Sequence, residues 1–230
     1  MTITRAVIAS AVIAIGAAGT ARAADGDSGF YVAAAATVSF LGDADQTIAN
    51  APMPGLTLTA VNHNNTGWGG HGAVGYRLNR ALRIEAEVGR TENDADSFDI
   101  TSPFTATLEQ DGETDILRFM ANAYVDFGKA GTRLRPYVGG GVGAAKIDTY
   151  RFAGTAFAPN NKTVHIDDSA AGFAWQAMAG ASFRLSPRLS LTAQYRWFDA
   201  GTVDQTTALG QALTTDIDGH HVDLGVRVSF

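Results

Sequence analysis

The amino-acid sequence predicts an all-β chain: an eight-stranded antiparallel, up-and-down transmembrane β-barrel preceded by a cleaved signal peptide. Three observations carry that expectation. The final residues, His221 to Phe230, alternate without a fault, with Val222, Leu224, Val226, Val228 and Phe230 on one face and Asp223, Gly225, Arg227 and Ser229 on the other. An edge strand with one wholly apolar face is an aggregation hazard unless the sheet closes and that face meets something oily. Residues 1–23 have the make-up of an export leader, with Arg5, an apolar run from Ala6 to Ala18 and a small-residue exit, Ala21-Arg22-Ala23. That run is shorter than the roughly 20 residues a helical span needs, and nothing later comes close, so a membrane-resident chain has to cross as strands. Residues 24–230 are then one barrel domain.

Period 2 marks eight segments. The first, about 29–41, sets Phe30, Val32, Ala34, Ala36, Val38 and Phe40 on one face. The second, 67–78, opposes Trp68, Val74, Tyr76 and Leu78 to His71 and Arg77. In the third, 81–90, Leu82, Ile84, Ala86 and Val88 oppose Arg83, Glu85 and Glu87. The fourth, 114–127, sets Leu117, Phe119, Ala121, Ala123, Val125 and Phe127 against Arg118, Asn122, Tyr124 and Asp126. Gly139, Gly140 and Gly141 blur the fifth, 134–147, although Val138, Val142 and Ala144 keep parity. The sixth, 172–185, alternates Phe173, Trp175, Ala177, Ala179, Ala181 and Phe183 with Gln176, Ser182 and Arg184. The seventh, 189–200, sets Leu191, Ala193, Tyr195 and Trp197 against Ser190, Thr192, Gln194 and Arg196, and Phe198 breaks the rule. The C-terminal run is the eighth.

Connections separate a membrane barrel from a soluble sandwich. Asn79-Arg80, 128–133 and Ser186-Pro187-Arg188 are short, whereas 42–66, 91–113, 148–171 and 201–219 are long. Strict alternation of short and long is expected when short turns face the periplasm and long loops face outside. Phe40, Trp68, Tyr76, Phe127, Phe183, Trp197 and Phe230, near the ends of the apolar faces, are placed to form interfacial girdles.

Composition narrows the function. The net charge is −6, and it becomes more acidic when Arg5 and Arg22 leave with the leader, which argues against a nucleic-acid partner. With no cysteine, disulfides, thiolate metal ligands, thiol nucleophiles and lipid attachment behind the leader are all excluded.

At Leu134-Arg-Pro-Tyr-Val-Gly-Gly-Gly-Val-Gly-Ala144 and at the alternating C-terminus ending in Phe230, the chain resembles the small outer-membrane β-barrel family of Gram-negative bacteria, the opacity-like surface proteins and OmpA-like transmembrane domains. The resemblance implies residence in the bacterial outer membrane among lipids and lipopolysaccharide. It also implies that Phe230 acts as an assembly signal for the outer-membrane assembly machinery. No peptidoglycan-binding domain follows Phe230, so that role of longer relatives is not expected. About activity the resemblance says almost nothing.

Several motifs have plainer readings. Gly139-x-Gly141-x-x-Ala144 matches a dinucleotide fingerprint but no helix follows to hold a pyrophosphate, so the match is accidental and the glycines relieve crowding. His220 and His221 point to opposite faces and cannot chelate one ion together; His71 faces the lumen, and His63 and His165 fall in loops. No metal site, cofactor or catalytic residue is expected. The candidate site is a lumen polar network of Arg77, Arg83, Glu85, Glu87, Arg118, Asp126, Arg184, Arg196, Asp223 and Arg227, either a structural core or a gated ion path. Arg196 and Asp223 are expected at similar depth. The second loop carries Glu92, Asp94, Asp96, Asp99, Glu109, Asp111, Glu113 and Asp115 without a basic residue, an acidic solvated loop whose spacing matches no Ca²⁺ or Mg²⁺ ligand loop. The expected function is a monomeric, non-enzymatic surface protein supporting envelope integrity or contact with a host or cell-surface ligand. The alternatives are a small-solute porin and a lipid A-modifying enzyme using Asp218 and His220 near the outer rim.

Overall fold

Where lipid lies on one side of the wall and a filled lumen on the other, alternating sequence has a single way to lie. The computed structural model describes residues 28–42, 44–49, 55, 57–64, 66–103, 105–128, 131–153, 164–206 and 212–230. Residues 1–23, expected as the leader, and Lys129 of an expected periplasmic turn lie outside the described residues.

The strands are β1 (Gly29–Leu41), β2 (Ala44–Ala49), β3 (Thr57–Asn64), β4 (Thr66–Arg77), β5 (Leu82–Ser102), β6 (Ala106–Asp126), β7 (Leu134–Ala153), β8 (Val164–Arg184), β9 (Leu189–Thr206) and β10 (Ala212–Ser229). Every neighbour is antiparallel, and β1 meets β10 from Tyr31↔Ser229 to Leu41↔Gly219, so the sheet closes on itself. The ten strands make eight staves. β2 prolongs β1 along β10, with Gln46↔Thr215 beyond Leu41↔Gly219, and β3 runs on into β4 along β5, with Asn64↔Ala95 beyond Trp68↔Glu92. The expected eight-stranded barrel is the observed architecture.

The expected long loops are corrected. Much of 91–113, 148–171 and 201–219 is strand, and 42–66 contains the β2–β3 hairpin. At 21 residues, β5 is about 70 Å long at roughly 3.3 Å per residue, and at a tilt of about 40° it rises about 50 Å, twice the ~25 Å apolar band. Half of the barrel wall therefore stands outside the hydrocarbon.

Periplasmic turns are held by their own side chains. Asn79 Oδ1 accepts the backbone N–H groups of Ala81 and Leu82 at 2.8 and 2.9 Å, and Ser186 Oγ accepts that of Leu189 at 3.1 Å. Phe30, Phe40, Trp68, Phe127, Phe183 and Trp197 are exposed on the outer wall, near the ends of the apolar band, whereas Tyr76 and Phe230 are only half-exposed. Phe230 donates its N–H to the Phe30 carbonyl at 3.0 Å, stitching the last residue to β1. The blurred fifth segment has a steric reason. Gly139, Gly141 and Gly143 face inward where β6 presses against β7: a Cβ at Gly139 would collide with the Tyr124 ring, one at Gly141 with the Asn122 side chain, and one at Gly143 with the Phe119 carbonyl and Met120. The glycine relief expected there is correct, with crowding from the adjacent strand.

Candidate functional site

Three storeys fill the lumen. In the periplasmic storey Arg83 is the hub: its Nε donates to Asp126 Oδ1 at 3.2 Å, and its Nη1 donates to Tyr31 Oη at 3.3 Å and Glu85 Oε2 at 3.4 Å. Tyr31 donates its hydroxyl to Glu85 Oε2 at 2.9 Å, and Tyr124 donates to Glu85 Oε1 at 3.3 Å. The Arg83 guanidinium lies 3.6 Å from the Tyr124 ring centroid, and that of Arg227 lies 5.1 Å from the Tyr31 ring. A cavity of about 20 Å³, room for one water molecule, is bounded by Ala33, His71, Glu85, Tyr137 and Arg227.

The middle storey is an ion network spanning the bore. Glu87 Oε1 accepts from Arg196 Nη1 at 2.5 Å and from Arg118 Nε at 3.1 Å, while Oε2 accepts from Asn122 Nδ2 at 2.9 Å and Arg196 Nη2 at 3.2 Å. Arg196 also donates to Gln176 Oε1 at 2.8 Å and, through Nε, to Asp223 Oδ2 at 3.1 Å. Thr37 Oγ1 donates to Asp223 Oδ1 at 2.6 Å, Gln194 Nε2 donates to Asp223 Oδ2 at 3.1 Å, and His71 Nδ1 stands 3.8 Å from Asp223 Oδ1. Arg196 and Asp223 are thus paired at one depth, as expected.

The outer storey is apolar on one side. Ile116, Met120, Ala145, Ile147, Ala174, Phe198, Ala200 and Ile217 form a buried cluster inside the barrel, with the His221 ring 5.9 Å from that of Phe198. Phe198 therefore keeps its strand's parity and sets an apolar residue in the lumen, rather than breaking the alternation. Across from the cluster, Ser39 Oγ donates to Asn93 Oδ1 at 3.0 Å.

Eight of the ten expected network residues, Arg83, Glu85, Glu87, Arg118, Asp126, Arg196, Asp223 and Arg227, are buried in the lumen. Arg77 is half-buried toward the periplasmic end. Arg184 is a correction: it is exposed and donates to the Gly131 carbonyl at 3.1 Å. Its parity is inward, but it is the last residue of β8, where the bore has already opened to solvent. Sequence reasoning missed the roles of Tyr31, Tyr137 and Thr37 and the apolar storey, although inward parity marked each position.

The second loop is also corrected. Its acids sit on paired strands, with Glu92 opposite Asp115 and Asp94 opposite Glu113, and Asp115 faces Asp148 on β7. Just below, Arg90 holds Asp115 through Nε–Oδ1 at 2.7 Å, and Lys146 holds Asp148 at 2.7 Å. A hydrogen bond with Glu92, then partial burial, then the charges of Glu92, Asp115 and Asp94 push the Glu113 carboxyl up to about 7. The side chains of Asp96, Glu109, Asp111, His63 and His165 lie outside the described residues. Among the described residues no group of three or more acids and histidines is arranged to hold a metal ion. His220 and His221 do point to opposite faces: His221 is buried inside, and His220 lies on the outer wall with Nδ1 2.6 Å from Tyr195 Oη.

A closed antiparallel barrel with an apolar girdle outside and interlocked ions inside defines a small outer-membrane β-barrel protein. The family model for the outer membrane protein beta-barrel domain matches residues 9–230, and the chain belongs to that family, resident in the bacterial outer membrane among its lipids and lipopolysaccharide. It is similar to an outer membrane protein of Gluconacetobacter diazotrophicus, 28% identical over 200 residues covering 79% of this chain and 51% of that one, so it spans about half of that relative's length. A Rickettsia conorii protein, RC1281, whose name proposes it as an adhesin, is 27% identical over 173 residues, 71% of this chain and 68% of its own. Among solved structures, OprG of Pseudomonas aeruginosa superposes with a TM-score of 0.54 at 14% identity, over 88% of this chain and 96% of that one. Neisserial surface protein A gives 0.47 at 20% identity, over 87% and 97%.

Proposed function

We propose that this barrel is a non-conducting, non-enzymatic surface protein whose protruding wall makes contacts outside the cell, with a supporting role in envelope integrity. One observation carries the reading: the bore is closed by the Glu87–Arg196–Asp223 network and by the apolar storey above it, while paired strands continue far beyond the lipid band. An eight-stranded barrel is only wide enough for its interior to be filled by side chains, and rigid extensions from such a scaffold are where binding residues are commonly carried. The likeness to a protein named as an adhesin supports the same reading. Phe230, tied to β1, serves in this reading as the assembly signal.

The test joins two measurements. In planar bilayers the purified protein stays silent, and cells displaying it adhere to other cells or to one another. Joining Ala95 to Gly112, which face each other across β5 and β6, shortens the hairpin, leaves the barrel folded by heat-modifiable gel migration and removes adhesion. Steady unit conductance, or adhesion unchanged by the shortening, would reject the proposal.

A further inference from the structure

The periplasmic storey holds more positive charge than it pairs. Arg77, Arg83, Arg135 and Arg227 gather there, and the two carboxylates among them, Glu85 and Asp126, are both taken by Arg83. Arg77 stands directly opposite Arg83 on the neighbouring strand, and the charges of Arg227, Arg135 and Arg83 bear on its guanidinium along with that of Asp126. Like charges directly opposite in a ladder repel. Among the described residues neither Arg77 nor Arg227 has a hydrogen bond or an ion pair. In the storey above, by contrast, Arg118 and Arg196 share Glu87.

Donors are left over as well as charge. The Nε groups of Arg77, Arg135 and Arg227 and the Nη2 group of Arg83 are buried without a hydrogen-bond partner. Arg227 is only 4% exposed, and its guanidinium lies over the Tyr31 and Tyr137 rings at 5.1 and 5.9 Å, contacts that occupy its faces and none of its N–H groups. Arg135 donates through Nη2 to the Arg80 carbonyl in the turn between β4 and β5, so its side chain crosses the end of β6 and lies over the mouth. Arg77 and Arg135 are half-buried and Arg184 is exposed on the same rim, which leaves the periplasmic side of the cluster open to solvent. The water-sized cavity beside Arg227 can supply a hydrogen bond but no charge.

A buried cation without an anion is costly, and the guanidinium fork matches the oxygens of a phosphate. Four guanidinium groups against two carboxylates leave an excess that one dianion neutralises and one carboxylate does not. We propose that the periplasmic mouth binds a phosphate group, held by Arg77 and Arg135 at the rim and backed by the charges of Arg227 and Arg83. Its tetrahedral oxygens can face several guanidinium groups at once. The Glu87–Arg196–Asp223 network closes the bore above, so the anion enters and leaves on the periplasmic side. The same chemistry is offered by a soluble phosphate and by a lipid whose headgroup reaches over the rim.

The barrel is folded in dodecyl maltoside, a detergent without phosphate, and titrated calorimetrically with inorganic phosphate at constant ionic strength in alkaline buffer, where the dianion predominates. Saturable binding of one phosphate per barrel is expected. Arg77→Gln and Arg135→Gln, each checked for folding by heat-modifiable gel migration, are expected to weaken it about tenfold or more, because each removes charge-assisted hydrogen bonds. Lys146→Gln, on the outer wall, is expected to leave it unchanged. Dihexanoyl phosphatidic acid, kept below its micellar concentration, separates the two sources: displacement of phosphate at lower concentration assigns the site to a lipid headgroup, and weaker competition assigns it to a soluble phosphate. Absence of saturable binding, binding unaltered in both arginine variants, or chloride competing as strongly as phosphate overturns the proposal. The site faces the periplasm, so its failure leaves the surface-contact reading standing.

Discussion

Replacing Glu87 by alanine should be the most damaging single change in the bore. Its two oxygens accept four hydrogen bonds, three of them from Arg118 and Arg196, and the carboxylate is wholly removed from solvent. Alanine leaves two guanidinium groups facing each other without their shared anion. Removing one member of a buried pair costs about 3 to 5 kcal/mol, against about 0 to 1 kcal/mol for an exposed pair. Lys146, half-exposed and paired with Asp148, supplies the exposed control. At a urea slope of about 2 kcal/mol per molar, Glu87→Ala should lower the unfolding midpoint by roughly 2 M and Lys146→Ala by less than about 0.5 M. Glu87→Gln, which keeps the shape and one acceptor but loses the charge, should fall between them. Folding in a single detergent, followed by gel mobility and tryptophan fluorescence, reads all three. Coincident midpoints for Glu87→Ala and Lys146→Ala, with unchanged slopes, would show that the lumen is wet enough to screen its ions and would refute the reasoning.

Other perturbations separate the storeys. Phe198→Ala should cost about 3 to 5 kcal/mol in the same assay, because the apolar storey cannot collapse around the space left. Arg184→Ala, at the solvent-exposed end of β8, should stay within roughly 0.5 kcal/mol, so that a loss comparable with Arg118→Ala would return it to the network. Glu113 binds its proton more tightly in the folded hairpin than its usual value of 4.5, with its folded value at about 7. Its stabilisation is therefore complete below about 4.5 and lost as pH rises through about 7. Amide protection of the outer β5–β6 ladder should fall between pH 5 and pH 8, and Glu113→Gln should flatten that dependence; a pH-insensitive wild type would contradict the pairing with Glu92.

Alternation exposed the wall wherever its two sides differ. Leu82, Ile84, Ala86 and Val88 against Arg83, Glu85 and Glu87 could lie in one way only, and the register confirms it. Above the girdle that contrast vanishes. Glu92, Asp94, Glu113 and Asp115 face water on paired strands, where a polar outer side is as comfortable as a polar inner one, so the period carries no signal and the segment reads as loop. Depth was equally hidden. Parity alone placed Arg184 beside Arg118, yet the two differ by half a barrel's height, and only the stagger of neighbouring staves reveals it. The apolar storey was within reach: Ile116 lies two residues before Arg118 and shares its face, and Phe198 lies two after Arg196. An aliphatic residue on the polar parity of a strand is a sign that the bore is stoppered at that height.

The pairing of β1 with β10 also sets the timing of assembly. Tyr31 and Ser229 meet across nearly the whole chain, so the ladder that shuts the barrel encloses all the others as one loop. The entropy of closing a loop rises with its length, and contacts of such wide separation form slowly. Until they form, β1 and β10 are two bare edges with apolar faces, a state in which a neighbouring copy is as good a partner as the chain's own far end. The final strand thus governs how long the molecule stays open to error, and its regular, unbroken alternation suits a segment that has to find its register at the first meeting.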